Sequence, residues 1–233
     1  MTKPNHWPKP PIPFTQANQN LLSHSGINGE FDDDVSPFKR IVQQSWNIDE
    51  SYEMISALIK QELGLDLPSG LRDEFGRVVV AETFARRGNL SDLEIPDLFE
   101  QRYSLREAPL FELKDYMINV ERGPFQNFII LKRSFEGIVS VAGTEHNLVG
   151  RGNGPISSLA NALKGLGLYI QVRNYEEHAI GEGKDVKAAA FLEVAEESQP
   201  REKFRSVWGV AIHEDVVQSS LLALLSAASQ LYR

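Results

Sequence analysis

The feature that most restricts this chain is a succession of elements that occurs twice between Ala108 and Arg233. In the first copy, residues 110–113, 116–120 and 128–131 are short β-rich runs, Gly123 and Pro124 predict the turn between them, and residues 138–142 read as a third strand. Residues 150–155 break the pattern. Ile156, Leu159, Leu163 and Leu166 then mark one apolar face of a helix, with Asn153 as its expected cap and Pro155 in the first turn, where a missing N–H costs little. In the second copy, residues 168–172, 188–194 and 207–212 read as strands. A closing helix carries Glu214 and Asp215 in its first turn and Val217, Leu221, Leu224, Leu225 and Ala228 on its buried face. The period is about sixty residues, and two βββα units in tandem follow. One such unit leaves a sheet face bare unless a helix covers it, so pairing two units around a shared core is the economical fold, with sheet faces left over for a dimer partner.

Upstream, the pattern is helical. Ile41, Val42 and Trp46 predict a short helix, and Met54, Ile55, Leu58 and Ile59 repeat at amphipathic spacing. Leu71, Phe75, Val78, Val79 and Phe84 predict a second helix that ends at Gly88. Ser91 followed by Glu94 predicts a capping-box start for a third. Five prolines fall within the first thirteen residues, followed by a polar stretch, a composition that buries too little apolar surface to offset chain ordering. The expected division is a disordered tail over 1–35, a helical linker unit over 36–107 and the tandem βββα unit over 108–233, in the α+β class.

Composition excludes several functions. Twenty-four Lys and Arg against 32 Asp and Glu give a net charge of −8, which supplies no phosphate attraction, so no nucleic-acid partner is expected. With no cysteine in its 233 residues the chain has no disulfide, thiolate metal site or thiol nucleophile. No apolar run reaches the length of a membrane span, and residues 1–13 lack a secretory core, so the protein is expected in the cytoplasm without a membrane partner.

Three local patterns invite functional readings. Gly150, Gly152 and Gly154 precede a helix, where backbone N–H groups suit an anion, but the lysine and hydroxyl of a phosphate loop and the third dinucleotide glycine are absent. In Tyr175-Glu176-Glu177-His178, a Glu and a His two residues apart share one face of a strand, but with His146 and His213 elsewhere a third metal ligand at convincing spacing is missing. Residues 181–185 read as a flexible hairpin loop, or alternatively as a lid over a ligand. No catalytic constellation, cofactor motif or metal set emerges.

Gly152-Asn153-Gly154-Pro155, then Tyr175-Glu176-Glu177-His178-Ala179, Gly181-Glu182-Gly183, Ala188-Ala189-Ala190 and finally Val207-Trp208-Gly209-Val210 resemble, in order and spacing, the C-terminal regulatory domain of 2-isopropylmalate synthase. Gly64-Leu65-Asp66-Leu67-Pro68, Leu71 and Glu74-Phe75 look like the linker subdomain of that family. The resemblance implies a tandem βββα fold that forms a homodimer, binds leucine at the dimer interface and regulates a metal-dependent barrel condensing acetyl-CoA with 2-ketoisovalerate. It implies a ligand pocket of Asn153, Gly154 and Ile156 at a helix entry with Val172, Tyr175, Ala179, Val186 and Ala188 on the strands. Charge alone makes Asp185 or Glu177 the candidate to balance an ammonium there. A barrel needs about 250 residues, and none precedes the linker. The family's Ser-Gly-Lys-Gly-Gly segment is also missing between Trp46 and Leu67, and Val186 stands where alanine is common. The expectation is therefore a stand-alone or separately encoded regulatory and dimerisation domain, binding leucine or a similar small apolar amino acid and acting with a barrel-bearing partner. Two other readings remain open: an enzyme on a small carboxylate using Tyr175, Glu177 and His178 as acid–base groups, and a dimerisation module with an empty pocket.

Overall fold

The structure is a computed structural model and describes residues 48–125, 128–197 and 206–232. The expected tail and the short helix around Ile41 and Trp46 lie outside these residues. The class is α+β, as the sequence predicts: among the described residues three helices precede two three-stranded antiparallel meanders, each followed by a helix.

Helix α1 (Ile48–Leu63), α2 (Ser69–Arg86) and α3 (Glu94–Arg102) form the helical unit. Each starts or stops for a local reason. Pro68 precedes α2 in extended backbone, and α2 ends where Arg87 takes a left-handed conformation, closing the last turn onto the carbonyls of Phe84 and Thr83. At α3 the Ser91 N–H and hydroxyl donate to Glu94 Oε2 at 2.8 and 2.9 Å, which is the reciprocal half of the predicted capping box.

The first meander consists of β1 (Phe111–Phe125), β2 (Phe128–Val141) and β3 (Thr144–Gly152), and α4 (Pro155–Leu163) follows. The strands here are fewer and longer than the sequence pattern predicts. Residues 110–113 and 116–120 belong to one long β1 with a bulge between Leu113 and Asp115, while 128–131 and 138–142 belong to one long β2. Gly123 and Pro124 do not turn the chain; they continue β1 opposite Ile130 and Ile129. β1 is an edge strand, where a proline without an N–H leaves the ladder intact. The third strand comes after a two-residue turn at Ala142 and Gly143, both at positive φ. Gly154, in extended backbone, caps α4 in place of Asn153; the Gly154 N–H donates to Ser157 Oγ, which donates in turn to Asn153 Oδ1 at 2.6 Å.

The second meander consists of β4 (Ile170–Ile180), β5 (Lys187–Glu196) and β6 (Ser206–His213), followed by α5 (Val216–Leu231). Asp215 lies just outside the first turn of α5 and caps it, accepting from the Gln218 N–H at 2.7 Å.

Two cores share the second sheet. On one face, Ala190, Leu192, Val194, Val207 and Ala211 pack with α4, α5 and the inner face of the first sheet, including Phe111, Phe135 and Leu159. On the other face, Ala189, Phe191, Trp208 and Val210 pack against Ile55, Ile59, Leu71, Phe75 and Phe99 of the linker helices. Strand alternation thus sends successive residues of β5 and β6 into different cores, which is why both read as nearly continuous apolar runs. Glycines permit the closest helix approaches. A Cβ on Gly150 of β3 would stand 2.2 Å from the Ser158 carbonyl oxygen, and one on Gly209 of β6 would stand 2.1 Å from that of Ala223.

Candidate functional site

The start of α5 and the far end of the β4–β5 hairpin enclose an open cleft of about 270 Å³, lined by Glu177, His178, Ala179, Val186, Lys187, Ala188, Glu214 and Val216. The pairing register explains how it is built. Tyr175 lies opposite Leu192, Glu177 opposite Ala190 and Ala179 opposite Ala188, so these three β4 residues share the sheet face that carries α5. Methyl side chains on Ala179, Ala188 and Ala190 leave the space that larger residues would fill. Glycines 181 and 183, both at positive φ, and a short helical turn at Gly183–Asp185 return the chain from β4 to β5 and set Val186 at the rim.

Polar groups edge this apolar floor. Tyr175 donates to Glu177 Oε2. Burial first, and then the bond to Glu177 and its charge, push the Tyr175 phenol well above its ordinary range, so it serves at neutral pH as a donor and not as a base. Glu177 and Glu214 bring negative charge to the cleft. The His213 imidazole accepts from the Asp215 N–H at 2.9 Å, fixing the approach to α5. Among the described residues, no three His, Asp or Glu side chains converge as a metal site.

Of the residues predicted from the sequence, Ala179, Val186 and Ala188 line the cleft, and Tyr175 stands beside it through Glu177. Val172, on the same strand, is half-buried against the shared core. Asn153, Gly154 and Ile156 sit instead at the start of α4, whose helix packs on β3, and are not among the lining residues. Sequence reasoning missed Glu214 and Val216, although the acidic pair at the start of the last helix was a visible signal. It also left the ammonium partner open between Asp185 and Glu177, of which Glu177 lines the cleft.

Residues 89–232 match the family described as the LeuA allosteric (dimerisation) domain, and the match takes in α3 and both meanders. The chain belongs to this family. Among curated relatives, the 2-isopropylmalate synthase of Schizosaccharomyces pombe is 34% identical over 180 residues, covering 77% of this chain and 30% of that protein. That of Parvibaculum lavamentivorans is 36% identical over 176 residues, covering 76% and 28%. That of Saccharomyces cerevisiae is 31% identical over 175 residues. This LeuA-type domain chain therefore spans about 30% of the length of the first of these relatives. No helix among the described residues of the LeuA-type chain is long and apolar enough to cross a membrane.

Proposed function

We propose that this chain is the regulatory and dimerisation portion of a 2-isopropylmalate synthase system of leucine biosynthesis, acting in the cytoplasm as a homodimer. It binds leucine or a similar small apolar amino acid and acts with a barrel-bearing acyltransferase that supplies the chemistry. The observation that carries the ligand half of this reading is the cleft. Its floor of Ala179, Ala188, Val186 and Val216 suits a branched aliphatic side chain, and Glu177 and Glu214 suit an α-ammonium. Its volume of about 270 Å³ is below the usual range for drug-sized ligands and suits a single amino acid. The helix α5 starts at the cleft, and the N–H groups of Val216 and Val217, ahead of the Gln218 N–H that Asp215 takes, are donors for an α-carboxylate. Asn153, Gly154 and Ile156, at the start of α4, join the site in this proposal from across the interface between two copies. Tyr175, protonated and bonded to Glu177, holds that carboxylate at the edge of the site.

Isothermal titration of the chain with leucine, isoleucine and valine tests the ligand assignment. Heat with at least one of them, abolished by Ala188→Leu, supports it; no heat with any removes it. Gel filtration with a synthase barrel that lacks its own regulatory domain tests the partner, and co-elution with leucine-sensitive activity is the expected result.

A further inference from the structure

We infer that His178 is the residue through which the cleft and the linker helices act on one another. The inference rests on the ligand reading above and deepens it, because it names how occupancy leaves the site.

Glu177 and Ala179 turn their side chains to the cleft, so His178 between them borders it with its main chain alone and sends its side chain to the opposite face, where its pairing partner Ala189 belongs to the linker-side core. There the imidazole stacks on Phe191, with ring centroids 5.3 Å apart and planes inclined by 26°. The Asp66 N–H donates to His178 Nε2 at 3.3 Å, and the same nitrogen lies 3.4 Å from the Gly64 carbonyl oxygen. Gly64 and Asp66 form the elbow between α1 and α2, with Gly64 at a φ of 72° and Leu65 between them fully buried. Residues more than a hundred positions apart are thereby joined by one side chain. β4 is an edge strand of its sheet, held by β5 on one side only, so the segment 177–179 yields more readily than a central strand. A ligand that displaces Glu177 and Ala179 on one face must move the His178 ring on the other. The elbow is the point where that movement changes the angle between two linker helices.

The test is hydrogen exchange on the full chain, read by mass spectrometry on peptides spanning residues 60–68, with and without saturating leucine. Wild type is expected to exchange about two- to tenfold more slowly there when leucine is bound, the range corresponding to one net hydrogen bond. His178→Phe keeps an aromatic ring against Phe191 but has no acceptor, and should bind leucine by calorimetry while its elbow no longer responds. His178→Gln restores an acceptor and should recover part of the response. If wild type binds leucine and the elbow does not respond, or if His178→Phe responds like wild type, the coupling is overturned and the ligand assignment stands. If calorimetry shows no heat in wild type, both fall.

Discussion

Ser226, near the middle of α5, donates its hydroxyl hydrogen to the Tyr103 carbonyl at 3.1 Å, joining the helix that begins at the cleft to the residue that ends α3. The same oxygen accepts from the Val210 N–H at 3.3 Å. One turn further on, Gln230 donates to the Arg102 carbonyl and Ser229 accepts from the Phe111 N–H at 3.1 Å. The polar stripe of α5 is therefore the anchor for the linker's last residues and for the first strand. Ser226→Ala leaves two buried backbone groups without that partner and should cost about 1–3 kcal/mol, read as a lower urea midpoint at unchanged slope.

Glycine substitutions should sort by the space found for a Cβ. Gly209→Ala places a methyl group 2.1 Å from the Ala223 oxygen and 2.2 Å from the Ala227 nitrogen, so α5 must lift from β6, at a cost of about 1–3 kcal/mol or more. Gly154→Ala meets nothing within 4 Å and has extended backbone, so it should cost less than about 1 kcal/mol. Thermal melting of the two variants checks the contrast, and equal losses would contradict it.

Trp208→Ala should loosen the linker helices before it unfolds the shared core. The indole is buried between the second sheet and the linker, and a Cβ on Gly70 of α2 would stand 2.9 Å from its ring. Truncating such a side chain costs about 3–5 kcal/mol. Limited proteolysis should cut first within residues 48–102, while peptides from α4 and α5 keep their exchange protection.

Alkaline pH should destabilise the fold. Burial holds the Tyr103 phenol well above its ordinary value, and burial pushes Tyr232 up to about 12. A phenol whose folded pKa is raised contributes stability that is fully present below its ordinary value near 10 and is lost as pH climbs through the folded value. Melting temperature should therefore fall above about pH 10, less steeply in Tyr103→Phe. Glu74, which accepts from the Tyr103 hydroxyl at 3.2 Å, is raised by burial above the usual carboxylate range. By the same sign its contribution is full at acid pH and declines as pH rises, so Glu74→Gln should gain on wild type as pH climbs above the ordinary carboxylate range.

If Val186 limits the cleft, Val186→Ala should shift calorimetric preference from valine towards leucine. The added room is about two methyl groups, and each buried CH₂ is worth about 0.8 kcal/mol.

What could be read from the residues differed from place to place for physical reasons. Ser91 with Glu94, and Leu159 with Leu163, announce their helices because caps and the 3.6-residue period are local. The strand Thr144–Gly152 gave no such sign, since Glu145, His146 and Asn147 are poor strand formers and the strand buries only Leu148 and Gly150. Pro124 pointed to a turn because the sequence does not say that its strand lies at an edge, where a missing N–H has no consequence.

The α+β class and the tandem order of the units were legible in the residues because period and turn chemistry are carried by neighbours, whereas Ala179 and Ala188 were pointed to by the family resemblance alone. Tertiary structure alone decided that β5 and β6 are covered on both faces, that Glu214 and Val216 close the cleft beside Ala188, and that His178 reaches Asp66. Those relationships join segments far apart in the chain. They exist only once burial has brought whole elements together, so no local pattern encodes them.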